Sequence, residues 1–150
     1  MEALYGRLQQ TASSADLERL TRTTVAALQL QRVVEQLVHI SELSVERRVV
    51  LTPAEQERLR QLYTLARESY AAVIAGLESG TIDLEAAGAR EIRMNLLEQE
   101  ARSATVEPRR KNDSSSLRLG LAELVDSYEH VGNHLFRVAN AISGDDDELT

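Results

Sequence analysis

The sequence predicts an all-α fold, an antiparallel four-helix bundle, and three observations carry that expectation. Leu, Ala, Glu, Arg and Gln dominate, aromatic residues are 3% and there are only two prolines. Chains of that kind build long helices that bury aliphatic seams and leave charged outer faces. Apolar residues also recur at alternating spacings of three and four, the pattern of a helix packed along its whole length. The breaks between these runs are short, and short loops between helices force antiparallel neighbours. At 150 residues the chain is one domain, large enough to bury a core of its own.

The first helix is expected from about residue 16 to 47. Ser13, Ser14 or Asp16 can cap it, and its seam reads Leu17, Leu20, Ala27, Leu30, Val34, Leu37 and Ile40. Met1–Gln10 fits one or two further helical turns. The second helix, 53–79, has the clearest start. Thr52-Pro53-Ala54-Glu55 sets a cap, a proline at the first helical position and a Glu where a capping box needs one. Its seam reads Leu59, Leu62, Ala66, Tyr70, Val73 and Leu77, and Ser79-Gly80 ends it, glycine being free to take positive φ. The third helix, about 82–107, starts near Thr81–Asp83 and stops before Pro108. Its weaker seam mixes Leu84, Ala87, Ile92, Leu96 and Val106 with charges. A polar connection, Arg109 to Ser114, leads to the fourth helix at 114–143, capped by Asp113 or a following serine. That last seam is unbroken: Leu117, Leu121, Leu124, Tyr128, Val131, Leu135, Val138 and Ile142. Residues 1–143 thus form the bundle. Residues 144–150, Gly144 followed by Asp145, Asp146, Asp147 and Glu148, read as an acidic, solvated and disordered tail.

Composition excludes several classes of function. A formal net charge of −7 argues against a nucleic-acid backbone or an anionic lipid surface as partner. No run is apolar and long enough to span a bilayer, and residues 1–14 lack the apolar segment of a signal peptide. With no cysteine there is neither disulfide framework nor thiolate metal site, which suits a reducing compartment.

The most informative stretch lies inside the fourth helix, Glu129-His130-Val131-Gly132-Asn133-His134. Glu129 and Asn133 stand four apart, off the seam, so they share a face. The first helix repeats the arrangement in Glu35 and His39. Glu129 to Ala139, E-H-V-G-N-H-L-F-R-V-A, resembles the E-R-I-G-D-H-x-x-N-I-A stretch of PhoU-like proteins. These are helical phosphate-uptake regulators, and related domains form cytoplasmic parts of some sodium/phosphate cotransporters. Glu129, Gly132, His134 and Ala139 match by identity, Val131 and Val138 in kind. Asn133 stands for the family Asp and Arg137 for the Asn. In the first helix Glu35 matches, while Val38 and His39 stand where Gly and Asp are usual. The resemblance implies two three-helix repeats with the motif helix third in each. This chain then looks like the end of one repeat followed by one complete repeat. It is either a short version of the domain or a piece of a longer protein, and the piece is the favoured expectation.

The resemblance also implies a metal site. In PhoU-like proteins the E-x-x-x-D pairs hold metal ions on the bundle surface, and two ligands one helical turn apart can chelate one ion. The candidates here are Glu35, His39, Glu129 and Asn133, with Asp126 and His130 nearby, and the ion would be a weakly bound divalent or ferric one. Neutral Asn133 weakens a hard-cation site, and His39 shifts it towards softer metals. The plainer alternative is an inherited helix face that holds no ion.

Other chemistry fits less well. His130 and His134 have the spacing of helical zinc ligands, but Val131 stands where a zinc hydrolase needs Glu, and His134 is expected to hydrogen-bond across the bundle. Neither His39 nor His130 stands in a recognisable phosphotransfer motif. No Glu-x-x-His pair lies on a seam, as di-iron chemistry requires. Gly132 costs about 1 kcal/mol inside a helix and is expected to mark a close packing contact. Tyr70, Tyr128 and Phe136 read as core or rim.

Expectation therefore settles on a non-enzymatic regulatory or accessory domain in phosphate uptake, the cytoplasmic PhoU-like part of a sodium/phosphate cotransporter-type protein. It would be tethered through an upstream segment or free. It would bind a transporter's membrane domain or a phosphate-signalling protein, with no nucleic acid and no insertion of its own into the membrane. The alternatives are a metal-binding or ion-sensing module and a structural dimerising bundle. A helix one short of its bundle partners also predicts a homodimer, with Val25, Leu28, Val33 and Val38 forming an apolar strip that faces water.

Overall fold

The computed structural model describes residues 14–46, 51–106 and 115–144. They form four helices and no strand: α1 (Ser14–Glu46), α2 (Pro53–Ser79), α3 (Leu84–Val106) and α4 (Ser115–Ser143). The expected ends at residues 16, 53, 79, 82 and 143 lie within two residues of these, and those expected at 47, 107 and 114 fall outside the described residues. Residues 1–13, the 107–114 connection and the acidic tail beyond Gly144 lie outside the described residues, as do the side chains of Leu117 and Val106.

Local chemistry explains the ends. The backbone N–H and the hydroxyl of Thr52 both donate to Glu55 Oε2 at 2.7 Å, and Glu55 N–H donates back to Thr52 Oγ1 at 3.4 Å, closing the capping box. Gly80 stops α2 with φ 75° and donates its N–H to Gly76 O at 2.8 Å. Asp83 Oδ1 accepts from Ala86 N–H at 2.9 Å, which starts α3. Gly144, φ 82°, ends α4 by donating to Asn140 O at 3.0 Å.

The last helix is the hub. It packs against each of the other three, and α2 also packs on α3. No Cα of α1 comes within 8 Å of one in α2 or α3. Cross-helix neighbours give the directions. Gly88 lies beside Phe136, Gly132 beside Met94, and Arg102 beside Asp126, so α3 and α4 are antiparallel. Gln29 meets His134 and Arg22 meets Gly144, so α1 is antiparallel to α4 too. Gly76 lies against Ile142 and Tyr63 lies near Tyr128, so α2 runs parallel to α4.

The α4 seam is as expected, and wider. Leu121, Leu124, Val131, Leu135 and Val138 are buried, and Val125, Ser127, Ala139 and Ala141 join them because three helices cover this one. The other three seams hold in part: Ile40 of α1, Leu62, Ala66 and Val73 of α2 and Ala87 of α3 are buried as expected, and the rest is corrected. In α1 the residues buried against the bundle are Ala26, Val33, Ile40 and Leu43, with Val25 and Leu30 packed beside them. Val33 is 1% exposed, whereas Leu17, Leu20, Val34, Leu37 and Val38 face water. The phase is thus turned from the expected one, and two members of the expected outer strip, Val25 and Val33, are inside. In α2 the line runs Leu62, Ala66, Ser69, Val73, Gly76, and Tyr70 and Leu77 are exposed. In α3 Met94, Leu97 and Ala101 are buried, and Ile92 and Leu96 are not. The physical reason is common to all three. Each helix has apolar residues on more than one face, and its packing on the hub, which local spacing does not report, decides which face is buried.

Candidate functional site

The stretch that carried the sequence argument occupies the hub, and its residues point to different neighbours. Gly132 is buried under α3. A Cβ added there would stand 2.7 Å from Met94 Sδ and 3.0 Å from its Cε, so the glycine makes room for a fully buried methionine. That is the close packing contact the sequence suggested.

Glu129 and Asn133 meet as their spacing requires. Asn133 Nδ2 donates to Glu129 Oε1 at 2.5 Å, and His130 Nδ1 lies 3.0 Å from Glu129 Oε2. The Glu129 side chain is only 19% exposed, so its two oxygens are largely engaged by its own helix. Asp126 turns away from this group. It accepts from Arg102 of α3 at 3.1 Å, and Arg102 also pairs with Glu98. Both carboxylates hold the Arg102 proton more firmly than usual, Asp126 the more strongly.

On α1, Glu35 is exposed and accepts from Gln31 Nε2 at 3.0 Å and Arg32 Nη1 at 2.9 Å. Those two bonds hold its carboxyl below the ordinary carboxylate range, and the His134 charge adds to the effect. His39 stands exposed one turn further on. Of the six candidate ligands, then, Glu129, His130 and Asn133 come together, while Asp126 and Glu35 are paired with arginines. Among the described residues no three His, Cys, Asp or Glu side chains gather as a metal-holding group.

His134 does bond across the bundle. Its Nδ1 stands 2.7 Å from Gln29 Oε1. An amide oxygen only accepts, so Nδ1–H is the donor. Burial lowers the proton affinity of this imidazole, and Arg137, His130 and Arg32 lower it further against the opposing pull of Glu35. The contact ties α1 to α4, and Arg22 makes a second tie. Its guanidinium lies over Gly144 at the C-terminal end of α4, where the helix dipole favours a cation.

Over α4, α1 and α2 stand apart and leave an open groove of about 200 Å³. Leu37 and Tyr63, Tyr70 and Tyr128 form its walls, with Val131 and Leu135 among the residues at its base. Tyr70 and Tyr128 are therefore rim residues, as expected. Leu37, expected in the α1 seam, and Tyr63 come together here through the separation of α1 from α2, which no local pattern reports. No helix among the described residues is long and apolar enough to cross a membrane. Against known proteins, no family model, no curated protein and no solved structure matches this chain.

Proposed function

We propose that this chain is a non-enzymatic regulatory or accessory domain in phosphate uptake, the PhoU-like part of a sodium/phosphate cotransporter-type system, and that it works through protein contacts. The observation that carries the reading is the stretch Glu129–Ala139 in its structural setting. The residues shared with PhoU-like proteins lie on the one helix that touches all the others, and each has a role there: Gly132 admits Met94, His134 anchors Gln29, and Ala139 is fully buried. A stretch used in this way holds a bundle together and leaves the outer faces of the other helices for partners. Fold alone does not assign a function; the resemblance of the stretch does.

The test is genetic. Cells lacking the coding region are compared with cells carrying it, by uptake of radiolabelled phosphate across a range of external phosphate. The reading expects a changed uptake rate, or uptake that no longer responds to external phosphate, restored by the intact chain. Identical uptake and identical response in both would overturn it.

A further inference from the structure

Helix α1 carries two heptad seams. The inner one, Ala26, Val33, Ile40 and Leu43, is spent on α4. The outer one runs Leu17, Leu20, Thr24, Ala27, Gln31, Val34 and Val38, alternating three and four, and every member is exposed. Leu28 and Leu37 widen it on either side. Leu20 is 63% exposed, Val34 59% and Val38 52%. Among the described residues no helix approaches this face, because α1 touches α4 alone. Domains of this size rarely leave such a strip open to water.

We infer that this face takes a second copy of the chain, the two α1 helices lying antiparallel about a twofold axis near Ala27. Periodicity is the first argument. A regular heptad on the side of a helix opposite its own bundle is the pattern of a coiled-coil seam. The helix is 33 residues long, about 50 Å, ample for such a seam.

Area is the second argument. Leu17, Leu20, Leu28, Val34, Leu37 and Val38 are each about half exposed. A fully exposed side chain of this size offers roughly 100 Å² of apolar surface, so two copies bring roughly 600 Å² together. Interfaces are about 60% apolar, which implies roughly 1,000 Å² in all, the threshold for a specific pair.

Charge is the third. The positions flanking the outer seam hold no base, and their acids include Glu35 and Glu42 in the C-terminal half. Parallel pairing would collect four of these carboxylates at one end. Antiparallel pairing sets Glu35 against Thr21 of the second copy and Glu42 against Ser14, beside the positive end of that helix's dipole. A twofold pair of this kind uses the same patch on both chains.

The test is sedimentation equilibrium of the full chain from 1 to about 100 µM. The expected mass is twice 16.7 kDa, and Leu20→Glu with Val34→Glu should weaken association at least tenfold. Both residues face water, so circular dichroism of the variant should match the parent. Since the chain has no cysteine, single cysteines then read the direction. With a short bismaleimide, Ala27→Cys should cross-link to itself, and Leu17→Cys should not. A monomer at every concentration overturns the proposal, as does a dimer indifferent to the two glutamates. Self-cross-linking of Leu17→Cys would overturn the antiparallel arrangement.

Discussion

Two adjacent valines on α1 test the packing in its sharpest form. Val33 is 1% exposed and Val34 is 59% exposed, so the same Val→Ala change should have very different costs one residue apart. At Val33 the change removes two buried carbons, worth about 1.6 kcal/mol in transfer. The cavity left against α4 raises the loss to about 2–3 kcal/mol, and the better helix propensity of Ala returns about 0.5 kcal/mol. The expected net loss is about 1.5–2.5 kcal/mol. At Val34 the same propensity gain roughly cancels the small loss of contact, leaving a change within about 0.5 kcal/mol, as at most surface sites. Both variants are best made beside Leu20→Glu, so that pairing through the outer face does not contribute. Urea unfolding followed by helical circular dichroism measures the difference. Equal losses at the two sites, or a larger loss at Val34, would refute the phase of α1.

Other outcomes follow from the same structure. Gly132→Leu should cost about 1–3 kcal/mol by overpacking, and adding Met94→Ala should recover at least half of it, because Met94 fills the space over the glycine; two independent losses in a double-mutant cycle would contradict that contact. Leu135→Ala, in the core, should cost about 2–5 kcal/mol, whereas Glu129→Ala should cost less than about 1 kcal/mol, as compared in the same denaturant melts. Burial lowers the proton affinity of His134, so below the ordinary imidazole value near 6.5 the unfolded chain binds more protons and stability falls as pH falls. Melting followed from pH 7.5 to 5.5 should show a shallower decline in His134→Gln than in the parent, and an identical decline would remove His134 from that dependence. Asn133→Asp would replace the amide that now donates to Glu129 with a second carboxylate. Calorimetry with Mg²⁺ and Fe³⁺ should then show tighter binding than in the parent, and no gain with either ion would mean that the two positions do not share a cation.

The sequence conveyed the elements better than their packing, for a physical reason. Helix ends are set by local bonds, such as those of Thr52 with Glu55 and of Gly80 with Gly76, and a capping box or a glycine stop is legible in four or five residues. The hub seam was legible because one helix covered by three others must be apolar on most sides. In α2 the expected seam holds at Leu62, Ala66 and Val73 and fails at two positions where size was favoured. Tyr70 and Leu77 are larger than Ser69 and Gly76, yet the small pair lies inside. In α1 both faces are apolar, and nothing local says which one meets the hub. The candidate site divides in the same way. The Glu129–Asn133 bond follows from one helical turn. The pairing of Asp126 with Arg102 and the groove between α1 and α2 depend on how helices sit together, which neither spacing nor composition records.

We propose that α4 holds the bundle and that pairing through the outer face of α1 is needed for the proposed role in phosphate uptake. The most direct measurement uses the full chain carrying Leu20→Glu and Val34→Glu, two exposed positions, in cells that lack the parent. Its helical content and cellular abundance are checked against the parent, and phosphate uptake is then followed across external phosphate concentrations. The account predicts a folded, abundant protein that fails to restore normal uptake or its control. Full restoration by that folded variant would contradict it.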